Sequence, residues 1–447
     1  SSSPASSSSP SSLDWKDFRM EHVIGQGSFG LVVSAYKTKG AGAGNYFAVK
    51  VTDKHVLADR SYKASNLLWA ERNVLAQLDH PAVGRMLATF QTQSNIYMAF
   101  DLYSGGSLFY HIHRRTAPEI ANTGRLAAGL HGLSDETVRF YGAEVVAGLG
   151  YLHQHGIIHR DMKAENVVLD WKGHAKIIDF GCSKDLRGNV DESHERDYRR
   201  AHTLCGTLEQ LSPELLAAVS RSGAYGKASD WWALGIMLYE MSTATMPFDV
   251  NRNERDPAVN ERNLRDQLPV AEHQDMPNLF SNDLAELILA LLLEDQTKRA
   301  GSQRNGSARV KAYSFFSNIN FDRIHNTVPP FSPLVTPGEC PYIGRKYKAM
   351  NVNEVVHEKK FPAKGKKTAD PLGKAFAGFD FVNPDIQFLD AQAMEGGADV
   401  QVGMGMSGGA SGGASKSRSG HGSSPDTVAE VDSWFAGWDL MKVACAN

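Results

Sequence analysis

Cysteine is scarce: Cys182, Cys205, Cys340 and Cys445 are the only four in 447 residues, and none forms a CxxC pair. That spacing argues against a disulfide-stapled secreted scaffold and against a structural zinc module, and it fits a reducing, cytoplasmic setting. Long apolar runs are missing too. The longest, Leu287 to Leu293, falls far short of the about 20 residues that a membrane-spanning helix needs. Charge of one sign is not in excess either. A formal net charge of −3 provides no whole-chain basic field for nucleic acid or an anionic membrane, so neither partner is expected. The first residues, SSSPASSSSPSS, have neither the basic start nor the apolar stretch of a secretory signal. They also lack an initiator Met, which suggests a fragment whose regulatory segments lie upstream.

The length exceeds the roughly 250–300 residues at which one core usually divides. Residues 1–14 are rich in serine and proline with little to bury, and are expected to be disordered. Segments 21–36 and 46–52, short and rich in Val, Phe and Tyr, read as antiparallel strands, and 62–78 has helical apolar spacing. Further on, 135–154, 229–243 and 281–294 read as helices. The fold class expected is therefore α+β and bilobal, with a sheet-rich lobe over 18–103 and a helical lobe over 104–316. Stretches 116–132, 186–200 and 250–275 read as solvated loop inserts. A tail over 317–447 carries scattered aromatics and a Gly/Ser-rich linker at 395–425.

Ile24 opens a glycine-rich segment, Gly25-Gln26-Gly27-Ser28-Phe29-Gly30-Leu31-Val32. Absent side chains let backbone N–H groups approach phosphate oxygens there. A dinucleotide fingerprint has the same spacing but opens a helix, whereas Leu31-Val32-Val33 reads as a strand, so a hairpin lid over a nucleotide is the better reading. Lys50 lies on the next apolar strand and Glu71 on the helix after it, a natural buried pair. His159-Arg160-Asp161-Met162-Lys163-Ala164-Glu165-Asn166 and Asp179-Phe180-Gly181 supply what phosphoryl transfer needs, namely a carboxylate near the attacking hydroxyl and oxygen ligands for magnesium. The strands between them, Val167–Leu169 and Ala175–Ile178, are expected to pair and bring Asn166 to Asp179.

These segments resemble the protein-kinase signature set from about Phe18 to Phe316. Thr203-Leu-Cys-Gly-Thr207, Asp230-Trp-Trp-Ala-Leu-Gly235 and the aromatic tail resemble the AGC group of serine/threonine kinases, near the cyclic-nucleotide-dependent kinases and protein kinase C. The resemblance implies the bilobal kinase fold, ATP and Mg2+ as cofactors, and protein substrates. Ile24 through Val32 would cover the phosphates, while Lys50 would hold them and pair with Glu71. Val32, Ala48 and Val168 would sandwich adenine, and Asp101 and Tyr103 would lie in the hinge. Asp161 would be the catalytic base, Lys163 would steady the γ-phosphate, and Asn166 and Asp179 would bind the metal. Thr203 stands where relatives carry an activating phosphate, received by Arg160 and Lys184, which implies an upstream kinase and either a regulatory subunit or a regulatory domain outside these residues. Glu214 would pair with Arg299.

Glu165 and Glu240 match positions that recognise basic side chains upstream of the target hydroxyl. Other positions depart from the pattern: Ala164 replaces a proline, Ser212 replaces the alanine before Pro213-Glu214, Leu208-Glu209-Gln210 stands where Pro-Glu-Tyr is usual, and Ser107 replaces an acid. A basophilic enzyme of weakened stringency is expected. Two tail segments could be the hydrophobic motif that docks beside the Glu71 helix: Phe376, Phe379 and Phe381 with Asp380, or Phe435 with Trp438. A pseudokinase scaffold is the rival reading; it is weakened by the presence of Lys50, Glu71, Asp161, Asn166 and Asp179.

Overall fold

The computed structural model describes residues 14–27, 30–40, 42–60, 62–113, 132–187, 207–221, 225–249, 251, 254, 256–268, 281–303, 305–333, 335, 336, 338–356 and 374–383. Five strands, β1 (Phe18–Gln26), β2 (Leu31–Lys37), β3 (Tyr46–Asp53), β4 (Met86–Gln91) and β5 (Asn95–Asp101), form an antiparallel sheet. Strand periodicity sorts its side chains between two faces. Val33, Val49 and Val51 are buried in one cluster with Phe18, Phe90 and Tyr97. Val32, Ala48 and Lys50 alternate with them and face the cleft below. The β2–β3 register sets Val32 opposite Lys50.

Two helices, α1 (Lys54–Arg60) and α2 (Tyr62–Leu75), follow β3. Glu71 on α2 is buried, as are Leu68 and Leu75. The helical lobe opens with α3 (Leu108–His113) and continues with α4 (Asp135–Gln154), capped by the Ser134 hydroxyl. Further helices are α5 (Pro213–Arg221), α6 (Ala228–Thr243), α7 (Pro257–Arg265) and α8 (Asn282–Leu291). Trp231 and Trp232 on α6 are fully buried, which makes that helix the centre of the lobe. Helix α7 corrects the expectation of a loop at 250–275. Asp256 caps it and Pro257 occupies its first turn, a start signal that the charged composition of the stretch concealed. Most of the other two inserts and all of 395–425 lie outside the described residues. No helix among the described residues is long and apolar enough to cross a membrane.

The tail returns to the small lobe. A two-residue strand, Phe381–Val382, pairs with β4 and covers the edge of the sheet. Phe376 and Phe379 are fully buried against Trp69 of α2, one ring stacked at 6.4 Å and the other edge-on at 5.0 Å. Trp69 Nε1–H donates to the Ala375 carbonyl at 2.8 Å, and Thr89 and Gln91 donate to the carbonyls of Phe379 and Phe376. Of the two tail candidates, the 376–381 segment is therefore seated beside the Glu71 helix. Phe435 and Trp438 lie outside the described residues.

Candidate active site

A cleft of about 310 Å³ lies between the sheet and the helical lobe, with the glycine-rich hairpin as its roof. Close approach explains two of the glycines. A Cβ on Gly27 would meet Lys50 Cε at 2.9 Å, and one on Gly30 would run into the Val51 carbonyl at 1.9 Å. Ser28 and Phe29, at the tip, lie outside the described residues. Ile24, Gly25, Gln26, Val32 and Ala48 line the roof, Val168 faces them from below, and Asp101 and Tyr103 line the connecting edge. Asp101 is also engaged with Arg85 at 3.1 Å, yet burial, outweighing that cation, pushes its carboxyl above the ordinary range.

Lys50 Nζ donates to Glu71 Oε1 at 2.6 Å and stands 3.8 Å from Asp179 Oδ1. Burial works to lower the lysine's pKa, but the two carboxylates overcome it and hold it above the usual value. The ammonium therefore stays charged, with Asp179 drawn toward it from the opposite lobe.

Below Lys50, residues Asp161, Lys163, Asn166 and Thr207 form one bonded network. Lys163 Nζ donates to Asp161 Oδ2 at 2.9 Å and to Thr207 Oγ1 at 2.6 Å, and the Thr207 hydroxyl donates to Asp161 Oδ1 at 2.9 Å. Asn166 Nδ2 donates to the Asp161 carbonyl at 2.7 Å and to Oδ2 at 3.1 Å. Burial of Lys163 is outweighed by Asp161 and Glu165, so it too stays protonated. The loop itself is held by Asp230 of α6, which accepts from the backbone N–H groups of His159 and Arg160 at 3.0 and 2.8 Å and pairs with His153 at 2.7 Å. Burial would raise the Asp230 pKa, but those bonds and His153 prevail and lower it.

Strands β7 (Val167–Leu169) and β8 (Ala175–Ile177) pair as expected, and the Ile178 N–H donates to the Asn166 carbonyl at 2.9 Å. Asn166 and Asp179 thereby line the same cleft. At the site two residues, Arg160 at φ 69° and Asp179 at φ 59°, carry left-handed backbone where side chains pay a steric cost. Such strain persists only when neighbours impose it; here Asp179 also accepts from the Gly181 N–H and His159 packs edge-on against Phe180.

Magnesium fits this arrangement. Asn166 spends its amide nitrogen on Asp161, which leaves its amide oxygen for a ligand in the cleft that Asp179 also lines. Among the described residues no cluster of three or more His, Cys, Asp or Glu could hold a metal alone. A hard cation that completes its shell from phosphates and water needs no more than these two protein oxygens.

Arg160 donates to the Cys182 and Ser183 carbonyls and to the Tyr225 hydroxyl. Lys184, on β9 (Lys184–Asp185), has its pKa lowered by burial and by the Arg160 charge, so two cations are crowded together. Thr203 lies outside the described residues. Cys182 is disulfide-bonded. Glu214 and Arg299 form the expected pair, at 2.5 and 2.9 Å. Glu240 is fully buried and Glu165 faces the cleft.

Residues of the tail that sequence reasoning did not single out also reach the cleft: Cys340, Tyr342, Ile343, Gly344 and Tyr347. Tyr342 packs against Tyr110 at 5.3 Å. The signal present was a pair of tyrosines in a proline-marked segment, which names no destination.

Comparison with known proteins places this geometry. The model of the protein kinase domain matches residues 18–310. The chain is 35% identical over 332 residues to "Ribosomal protein S6 kinase 2 alpha" of Xenopus laevis, covering 74% of this chain and 40% of that protein. It is 29% identical over 376 residues to "Serine/threonine-protein kinase AtPK2/AtPK19" of Arabidopsis thaliana, covering 84% and 69%. To "Ribosomal protein S6 kinase beta" of Caenorhabditis elegans it is 31% identical over 390 residues, covering 86% and 62%. The aligned region thus spans from under half to about two thirds of these relatives.

Proposed function

Since the chain belongs to the protein kinase domain family, within its AGC serine/threonine group, we propose that it transfers the γ-phosphate of ATP to serine and threonine hydroxyls of proteins in basic sequence contexts. The observation that carries this reading is the single network joining Asp161, Lys163, Asn166 and Thr207 directly beneath the Lys50–Glu71 pair.

Asp161 accepts the proton of the substrate hydroxyl as it attacks, and the neighbouring Lys163 orients that carboxylate. Lys163 also offers its charge to the transferring phosphoryl group. Lys50 holds the nucleotide phosphates, fixed in place by Glu71, while Val32, Ala48 and Val168 enclose the base between apolar walls. Asn166 and Asp179 hold magnesium, which when bound neutralises phosphate charge. Thr207 bridges base and lysine, so the substrate platform is tied to the catalytic loop. A pseudokinase scaffold has no use for this fully furnished network.

Arg160 and Lys184 form a cationic site suited to a phosphate on Thr203, which would order the segment leading to Thr207. Docking of Phe376 and Phe379 against α2 holds Glu71 toward Lys50. The test is incorporation of labelled phosphate into a basic serine peptide by the protein phosphorylated at Thr203 and by Thr203→Ala. One charge-assisted hydrogen bond is worth about 1.5–3 kcal/mol, so turnover in the variant falls roughly tenfold or more. The KM for ATP changes little. Equal turnover in the two proteins contradicts the switch, and no transfer to any hydroxyl contradicts the function.

A further inference from the structure

The groove that holds the tail reads its occupant through features that recur further along the chain. Phe376-Ala377-Gly378-Phe379-Asp380-Phe381 is seated against α2 and β4. Phe435-Ala436-Gly437-Trp438-Asp439-Leu440 repeats four of those six residues and keeps an apolar one at the other two. In the seated segment the Phe379 N–H donates to the Phe376 carbonyl at 3.0 Å, closing a four-residue turn, and Gly378 at its third position has φ 79°. A Cβ there would meet nothing within 4 Å, so backbone conformation, not space, calls for glycine. Gly437 stands at the same place. The turn sends two aromatic rings to one side: Phe376 and Phe379 are buried, while Ala377, Gly378 and Asp380 are exposed.

The hydrogen bonds of the groove carry over as well. Trp69, Gln91 and Thr89 donate to the main-chain carbonyls of Ala375, Phe376 and Phe379. Any sequence that forms the turn can accept these. Gln91 also reaches the Asp380 carboxylate at 3.4 Å, and Asp439 supplies that acid again. Leu440 and Met441 are apolar, as are Phe381 and Val382, whose pairing with β4 is a main-chain matter. Contacts particular to the seated segment include Arg72 over the Phe381 ring at 4.9 Å and the Asn383 amide, which donates to the Met86 carbonyl at 3.3 Å. These favour 376–381, which holds the groove in this structure.

We propose that residues 435–440 are a second occupant of this groove within the same chain, which exchanges with 376–381 and releases Phe381–Val382 from β4. Between the two segments lie 51 residues, 384–434. Their extended span is roughly 170 Å, so chain length permits return. A ligand on its own chain competes at an effective concentration of up to about millimolar. The exchange is a matter of binding and does not rest on phosphate transfer.

The test is fluorescence anisotropy of a labelled peptide of residues 431–442, titrated with the full chain in four forms. These are the unaltered protein, Phe376→Ala with Phe379→Ala, Phe435→Ala with Trp438→Ala, and all four substitutions together. Only the last frees the groove of both segments, and it binds the peptide roughly tenfold or more tightly than any other form. Peptides carrying Gly437→Val or Trp438→Ala lose that binding, as does the fourfold variant with Trp69→Ala. Gln91→Glu keeps the acceptor for Lys54 but sets a charge against Asp439, and it weakens binding. If the fourfold variant does not melt cooperatively, Phe376→Ala with Trp438→Ala makes the same comparison. If Phe376→Ala with Phe379→Ala alone binds the peptide as tightly as the fourfold variant, 435–440 does not reach the groove of its own chain, and the proposal is overturned. It is overturned too if the peptide binds no form, or binds without regard to Trp69→Ala and Gln91→Glu. If the Phe376 and Phe379 variant dimerises in sedimentation and loss of Phe435 and Trp438 abolishes the dimer, the occupant comes from a second copy and the exchange within one chain falls.

Discussion

Asp161→Asn lowers kcat by about 10²–10⁴-fold, the span that a positioned general base contributes. The amide is nearly isosteric and preserves the bonds in which Asp161 accepts from Lys163 and Thr207 on one oxygen, so loss of activity is not loss of shape. What it cannot do is take the hydroxyl proton. The substitution also removes the negative charge next to Lys163, whose protonated state is upheld first by Asp161 against burial. Nucleotide binding, carried by the roof and by Lys50, stays close to the unaltered level. Single-turnover measurement separates the two, because it reads the chemical step with ATP already bound. A variant that transfers phosphate at the original rate removes Asp161 from the role of base.

Arg299→Leu destabilises the fold by about 3–5 kcal/mol, the cost of leaving one member of a buried ion pair alone. Arg299 has 0% exposure and donates to both Glu214 oxygens, to the Ala228 and Leu293 carbonyls, and lies over the Trp232 ring at 5.0 Å. Those contacts bind the end of the activation segment, where Glu214 opens α5, to the core around α6. Removal of the guanidinium leaves a carboxylate and three carbonyls, those of Ala228, Leu293 and Glu294, without it in a shielded site. For a domain of this size the expected fall in apparent Tm is on the order of 10 °C. The double variant Arg299→Leu with Glu214→Leu recovers part of the loss, since the stranded charge goes too. A single variant as stable as the original contradicts the account of this pair.

Much of the candidate site was legible because its polar residues are packed into short contiguous segments. Asp161, Lys163 and Asn166 lie within six residues, and the hairpin β7–β8 is long enough only to return the chain to Asp179. Lys50 was legible from strand alternation, which forces every second side chain of β3 toward the cleft. Contacts between segments remote in sequence were not. Tyr342 and Tyr347 enter the cleft from more than two hundred residues beyond the hinge, and no local period records that destination. Helix α7 was hidden for another reason. Its charged sequence has little apolar periodicity, and its start signals, Asp256 and Pro257, were outweighed by composition. The seating of Phe376 and Phe379 could not be ranked from sequence because two tail segments share one spacing; the donor on Trp69 and the edge of β4 decide it.

The central claim is that Lys50 from the sheet and Asn166 and Asp179 from the helical lobe converge on one magnesium-bound triphosphate. Calorimetric titration of ATP with and without magnesium, on the unaltered protein and on Asp179→Asn, tests it most directly. The prediction is tighter binding with magnesium in the unaltered protein and loss of most of that gain in the variant. An equal magnesium effect in both proteins would contradict it.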